Sequence, residues 1–310
     1  MDKVVVQNLE ANNQRDLSRL ITQVENDNVT NNKTLDKLFK KTNQAIRIGI
    51  TGPPGAGKSS ITNELIKYYI KSDQKVGVIA IDPTSPFSGG SLLGDRVRMN
   101  QYHNDESVFI RSMSTHGHLG GLSRKAQDIG DLLAIAGKDV IIFETVGVGQ
   151  GEYEIANVAD LSVIVLVPEA GDEVQLMKAG LIEIGDIFVV NKSDRKGSEQ
   201  LTERLKSLVN INRETNRSIF NTIAKEGKGI EELFNGIIKK FTELEDDGNL
   251  LQRKIDRYKV RVKNIIQNNL LSEFWTSNKK EKLFQATKSL KDLKKSPNIA
   301  AKEIMQAIDL

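Results

Sequence analysis

The chain has 310 residues, enough for about two domains at roughly 150 residues each, with a 38% hydrophobic share, 44 Lys and Arg, 41 Asp and Glu, and no cysteine. This is the composition of a globular chain, which excludes a fibrous or disordered one, and apolar runs of about five residues, such as Val163 to Val167, fall far short of the roughly 20 that a membrane span needs. Without cysteine there are no disulfides, thiolate metal sites, iron–sulfur clusters or cysteine nucleophiles, and a cytoplasmic location is expected. Met1 to Glu10 carries Asp2, Lys3 and Glu10 in place of an apolar core, so no secretory signal is expected.

In chain order, residues 9–43 are polar and Asn-rich, but Leu17, Leu20, Ile21 and Val24, then Leu35, Leu38 and Phe39, recur at helical spacing and predict two short amphipathic helices. From Arg47 the period changes. Strands are expected at 46–51, 76–81, 108–112, 139–144, 161–167, 186–191 and 218–223, with helices at 58–71, 122–136, 172–184, 197–209 and 229–243. Alternation of this kind predicts an α/β fold with a mainly parallel, doubly wound sheet. After Gly248 no strand pattern returns, and the remaining residues read as helices broken near Ser277 and at Ser296-Pro297. Three parts are therefore expected: a helical N-terminal extension at 1–45, an α/β domain at 46–246 and a helical arm at 247–310. Residues 251–310 hold 14 Lys and Arg against 6 Asp and Glu, a net +8. Their charges are interleaved with Ile255, Tyr258, Val262, Ile265, Ile266 and Leu270 at helical spacing, which reads as a solvated helix face in preference to a nucleic-acid arm.

Strand 46–51 runs into Gly52-Pro53-Pro54-Gly55-Ala56-Gly57-Lys58-Ser59, and a helix opens at Ser60. This is G-x-x-x-x-G-K-[ST] in its strand–loop–helix context, the signature of a P-loop NTPase. The glycines let successive backbone N–H groups turn inward on phosphates, Lys58 reaches the β- and γ-phosphates, and the Ser59 hydroxyl is a Mg²⁺ ligand. Asn191-Lys192-Ser193-Asp194 follows a later strand. In P-loop GTPases this tetrapeptide reads guanine: the carboxylate of Asp194 accepts hydrogen bonds that adenine cannot donate, a discrimination of roughly 10⁴-fold or more. A supporting loop is expected at Thr222-Ile223-Ala224-Lys225, with the Ala224 N–H on the guanine oxygen and Ile223 where such enzymes often carry Ser.

Residues 139–144 form an apolar strand ending in Glu144, with Gly147 three positions on, where most GTPases have Asp-x-x-Gly for the metal and the γ-phosphate. Asp82, at the end of strand 76–81, and Asp95, in a Gly-rich loop, are two further acids that could face the phosphate loop. His116-Gly117-His118, with His103, invites a metal site but reads better as a Gly-rich loop.

Together with Gly-Gly-Ser-Leu-Leu-Gly-Asp-Arg at 89–96, Glu-Thr-Val-Gly-Val-Gly-Gln at 144–150 and Gly-Asp-Glu-Val-Gln at 171–175, these motifs closely resemble the MeaB/ArgK family over about Ile46 to Leu233. Its members are G-protein chaperones of adenosylcobalamin-dependent methylmalonyl-CoA mutase, once described as kinases of a lysine/arginine/ornithine transport system. The resemblance implies GTP hydrolysis to GDP and phosphate, with Lys58, Asp95 and Glu144 catalytic, and a Mg²⁺ site of Ser59, Asp82, Asp95 and Glu144. It implies that Asn191, Lys192 and Asp194 bind guanine and that a switch at 170–178 faces an adenosylcobalamin-dependent acyl-CoA mutase. It also implies a homodimer through the C-terminal helices. Two residues depart from the family pattern: Ile223 stands in place of Ser, and His116 in place of Arg. The alternatives are a metal-delivery GTPase of the hydrogenase or urease maturation type, disfavoured by the lack of cysteine, and an ATP-dependent kinase of a transport binding protein, disfavoured by Asp194.

Overall fold

The computed structural model describes residues 14–25, 38–82, 102, 105–114, 121–145, 154–168, 180–209, 217–289 and 295–306. Seven strands, β1 (Ile46–Thr51), β2 (Val76–Asp82), β3 (Val108–Ser114), β4 (Val140–Thr145), β5 (Leu161–Leu166), β6 (Ile187–Asn191) and β7 (Ser218–Thr222), form one sheet in the order β3-β2-β4-β1-β5-β6-β7. Every neighbouring pair is parallel. β1, β4, β5 and β6 are covered on both faces, and β4, β5 and β6 are accordingly nearly unbroken apolar runs.

Alternate residues of the strands feed opposite faces of the sheet. Ile48 and Ile50 of β1 and Val140 and Ile142 of β4 pack with Ile61, Leu65, Ile66 and Tyr69 of α2 (Lys58–Lys71) and with Leu233 and Ile237 of α6 (Ile230–Asp246). On the other face Ile141 and Phe143 pack with Ile129, Leu132 and Leu133 of α3 (Gly121–Ile135) and with Leu17, Leu20 and Ile21 of α1 (Gln14–Glu25). A third cluster joins Ile164, Leu166, Phe188 and Val190 to Leu181 of α4 (Leu181–Ile184) and to Leu201 and Leu205 of α5 (Ser198–Val209). Of the helix expected at 172–184, α4 supplies the last turn, and residues 172–179 lie outside the described residues.

α1 lies on the β3 edge and is tied to it by polar contacts. Gln14 Nε2 donates to the carbonyls of Asp105 and Val108, Arg111 pairs with Glu25, and Lys125 donates to the Glu25 carbonyl. The chain divides into two compact units, Met1–Lys254 and Ile255–Leu310, so α1 belongs to the sheet's own unit. These units cut the chain at other points than the three parts drawn from the sequence.

At its root, α7 (Asn249–Phe274) is held to the N-terminal ends of the strands. Arg253 forms a two-pronged pair with Asp186, through Nη1 to Oδ2 at 2.9 Å and Nη2 to Oδ1 at 2.8 Å, and also donates to the Asp160 carbonyl. In the second unit α8 (Ser277–Thr287) and α9 (Pro297–Met305) begin where the sequence breaks were placed, capped by Thr276 and Ser296, with Pro297 in the first turn of α9. No residue of α7 is buried, and Tyr258, Ile265, Ile266, Leu270 and Leu271 are exposed. Among the described residues no helix is long and apolar enough to cross a membrane.

Candidate nucleotide-binding site

The chain leaves β1 toward β2 on one side, and leaves β4, the neighbour of β1, toward β5 on the other. Ligands of open parallel sheets bind in the crevice that such a reversal opens at the carboxyl ends of the strands. The P-loop follows β1 at that point, and Ile50 of β1 pairs in register with Glu144 of β4. The same edge carries Asn191, opposite Thr222.

Two glycines of the loop are dictated by its neighbours. Gly52 has φ +140°, and a Cβ there would lie 2.0 Å from the Val165 carbonyl oxygen of β5; at Gly57, with φ +90°, it would lie 2.2 Å from Asn191 Nδ2. Pro54 and Gly55 are exposed at the lip, whereas Ala56 is buried. α2 opens at Lys58, whose ammonium is drawn back into the loop, donating to the carbonyls of Gly52 and Pro53 at 2.8 Å each. Ser59 Oγ donates to Glu144 Oε1 at 2.5 Å, and Thr62 Oγ1 donates to Oε2 of the same carboxylate at 2.8 Å. The hydroxyls of Thr51 and Thr145, at the ends of β1 and β4, hydrogen-bond to each other at 2.7 Å. Ser60 continues the first turn of α2.

Asn191 joins the P-loop to the loop after β7. Its Nδ2 donates to the Ala56 carbonyl at 2.8 Å, and its Oδ1 accepts from Thr222 Oγ1 and from the Ala224 N–H, each at 3.1 Å. The N–H expected at a guanine oxygen is therefore turned toward Asn191 here. Lys192 adopts a left-handed backbone, φ 57°, and Asp194 is exposed. Ile223 is half-buried; its N–H donates to the Lys228 carbonyl, and Lys225 is exposed beside it. The Lys228 ammonium pairs with Glu226, which raises its pKa, and Asp194 adds to the effect, so a cation stands near the Asp194 carboxylate.

Of the residues singled out from the sequence, the structure brings the P-loop, Glu144, Asn191 and the 222–225 loop to one edge. Asp82 closes β2 beside β4, where its preceding residue Ile81 pairs with Thr145, but its side chain is outside the described residues. Asp95, Gly147, His103, His116, His118 and the stretch 170–178 also lie outside them. Thr62 and the Thr51–Thr145 pair were not anticipated. The signal for Thr62 was a polar residue three positions after Ser59 on the apolar face of α2.

A family model described as methylmalonyl Co-A mutase-associated GTPase MeaB matches residues 17–279. The chain belongs to the MeaB family. This MeaB-family protein is 39% identical over 225 residues to GTPase ArgK of Escherichia coli, covering 70% of this chain and 68% of that one. It is 36% identical over 237 residues to the mouse protein named methylmalonic aciduria type A homolog, mitochondrial, covering 74% of this chain and 57% of that one. Among solved structures, one titled LAO/AO transport system kinase superposes with a TM-score of 0.73 at 26% identity, covering 98% of this chain and 96% of that one. The protein is a GTPase, and guanine nucleotide binding accompanies that membership.

Proposed function

We propose that this GTPase is a cytoplasmic, homodimeric chaperone whose nucleotide state gates adenosylcobalamin loading, protection or reactivation of a B12-dependent acyl-CoA mutase of the methylmalonyl-CoA mutase type. The observation that carries this reading is the family match over residues 17–279, to a model described by its association with that mutase. The mouse relative, named for methylmalonic aciduria, supports it. The exposed apolar residues of α7 support dimerisation through the C-terminal helices, and the parts 1–45, 46–246 and 247–310 are the functional divisions in this reading.

In the GTP state Lys58 exchanges the Gly52 and Pro53 carbonyls for phosphate oxygens, while the P-loop N–H groups and the start of α2 face the phosphates. Asp194 takes the guanine edge, flanked by Lys192, Ile223, Ala224 and Lys225, and Asn191 keeps the base loop registered on the P-loop. The donors fit magnesium: Ser59 Oγ and Glu144 Oε1 are adjacent hard oxygens at the end of β4, and Mg²⁺ is commonly held by one or two carboxylates with phosphates and water. Ser59, Asp82, Asp95 and Glu144 would hold it. When bound it supplies neutralisation of charge on the β- and γ-phosphate oxygens. Lys58, Asp95, Glu144 and the Gly147 N–H complete the hydrolytic site, and hydrolysis is slow until the mutase orders the switch segments.

The test is phosphate release from GTP, with ATP as control, in the presence and absence of the B12-dependent mutase of the same organism. A slow, GTP-selective rate that rises with the mutase, by up to ~10⁵-fold for external completion of such a site, is expected. A GTP rate indifferent to the mutase would remove the chaperone role, and an equal rate with ATP would remove the guanine assignment.

A further inference from the structure

Thr62 has no part in the roles above, yet, like Ser59, it donates a hydroxyl hydrogen bond to Glu144. It follows Ser59 by three positions, so helical geometry sets both side chains on one face of α2, and each meets a different oxygen of the carboxylate. Ser59 takes Oε1 at 2.5 Å and Thr62 takes Oε2 at 2.8 Å. Thr62 is fully buried, and Glu144 is 4% exposed. Its helical neighbours Ile61, Leu65 and Ile66 are also fully buried. A hydroxyl in such a position is costly unless it is hydrogen-bonded, and its partner is the oxygen of Glu144 farther from the P-loop serine.

We propose that Thr62 is a positioning residue for the divalent cation of the nucleotide complex: by holding Oε2 it fixes the carboxylate so that Oε1 is presented beside Ser59. The need for it follows from the length of the side chain. Glu has one more rotatable bond than the Asp more usual at this position, hence more orientations to lose on ordering. The Thr62 hydroxyl, bonded to Oε2, removes part of that freedom. Presenting Oε1 and Ser59 Oγ to a cation requires their mutual hydrogen bond to give way, whereas the Thr62 bond to Oε2 can persist. Groups that orient metal ligands in this way carry about 10- to 100-fold in metal affinity.

This inference rests on the magnesium reading above. The test loads the full-length protein and its Thr62→Val, Thr62→Ala and Thr62→Ser variants with a fluorescent N-methylanthraniloyl GDP and follows release across a MgCl₂ titration and in EDTA. Wild type and Thr62→Ser are expected to retain the nucleotide at the same MgCl₂ midpoint, Thr62→Val and Thr62→Ala at a midpoint about 10- to 100-fold higher, with all four equal in EDTA. Thr62→Ala keeps the test open should Thr62→Val not fold. A wild-type midpoint in both apolar variants would overturn the inference while leaving the magnesium reading intact. Faster release of those variants in EDTA by the same factor would also overturn it, since Thr62 would then serve the loop and not the cation. Release from wild type unaffected by MgCl₂ would overturn the magnesium reading and the inference with it.

Discussion

Asn191 makes hydrogen bonds to the P-loop and to the loop after β7, so one side chain ties the two loops together. All three bonds are buried, and removing the amide strands the Ala56 carbonyl and the Ala224 N–H at about 1–3 kcal/mol each. Asn191→Ala is expected to lower unfolding free energy in urea by about 2–6 kcal/mol and to weaken GDP binding with it. Asp194 is exposed and not part of the junction, so Asp194→Asn is expected to separate the two effects. Stability should be unchanged, while GDP affinity measured by calorimetry falls about a hundredfold or more, the worth of two charge-assisted hydrogen bonds. At Gly52 the outcome is steric: a Cβ 2.0 Å from the Val165 carbonyl cannot be accommodated, and Gly52→Ala should displace the P-loop from β5 and abolish nucleotide retention on gel filtration.

Among the elements, what the sequence disclosed and what it hid divide along range. β4, β5 and β6 were legible because strands covered on both faces run apolar, and the P-loop was legible because its strand–loop–helix pattern is local. The attachment of α1 was not. Leu17, Leu20 and Ile21 announce an amphipathic helix, but its partners Leu132, Leu133 and Ile141 lie more than a hundred residues on, and no short-range pattern names them. Thr62 escaped for a similar reason. A Thr within an apolar helical face counts against burial until the distant Glu144 is known to meet it. Because α1 belongs to the sheet's unit, Leu17→Ala is expected to cost about 2–4 kcal/mol, as large-to-small changes in cores do, measured by urea unfolding. GDP affinity should be unchanged, since α1 and α2 pack with opposite faces of the sheet.

For the molecule as a whole, Lys138 makes stability depend on pH. It is 2% exposed and donates to the carbonyls of Glu106 and Ser107. Burial, aided by the charge of Lys75, pushes its pKa down to about 8 from 10.5. Below pH 8 the folded state carries a buried ammonium at a penalty. Between about 8 and 10.5 the folded protein releases this proton while the unfolded chain retains it, so stability rises with pH. The gain is on the order of 3 kcal/mol across that window. Urea unfolding at pH 7.5 and 10 should show the wild type gaining on Lys138→Met, and parallel pH curves for the two proteins would contradict it.

The order of strands also dictates a sequence of events during synthesis. β1 lies at the centre of the sheet, but its partners β4 and β5 come about a hundred residues later, and such distant pairings are slow to close. The carbonyl under Gly52 belongs to Val165, and the amide beside Gly57 belongs to Asn191. As the chain emerges from the ribosome, the P-loop is therefore made early and shaped late. A nascent chain that ends before residue 191 carries the P-loop sequence without the side chain that holds its Ala56 carbonyl.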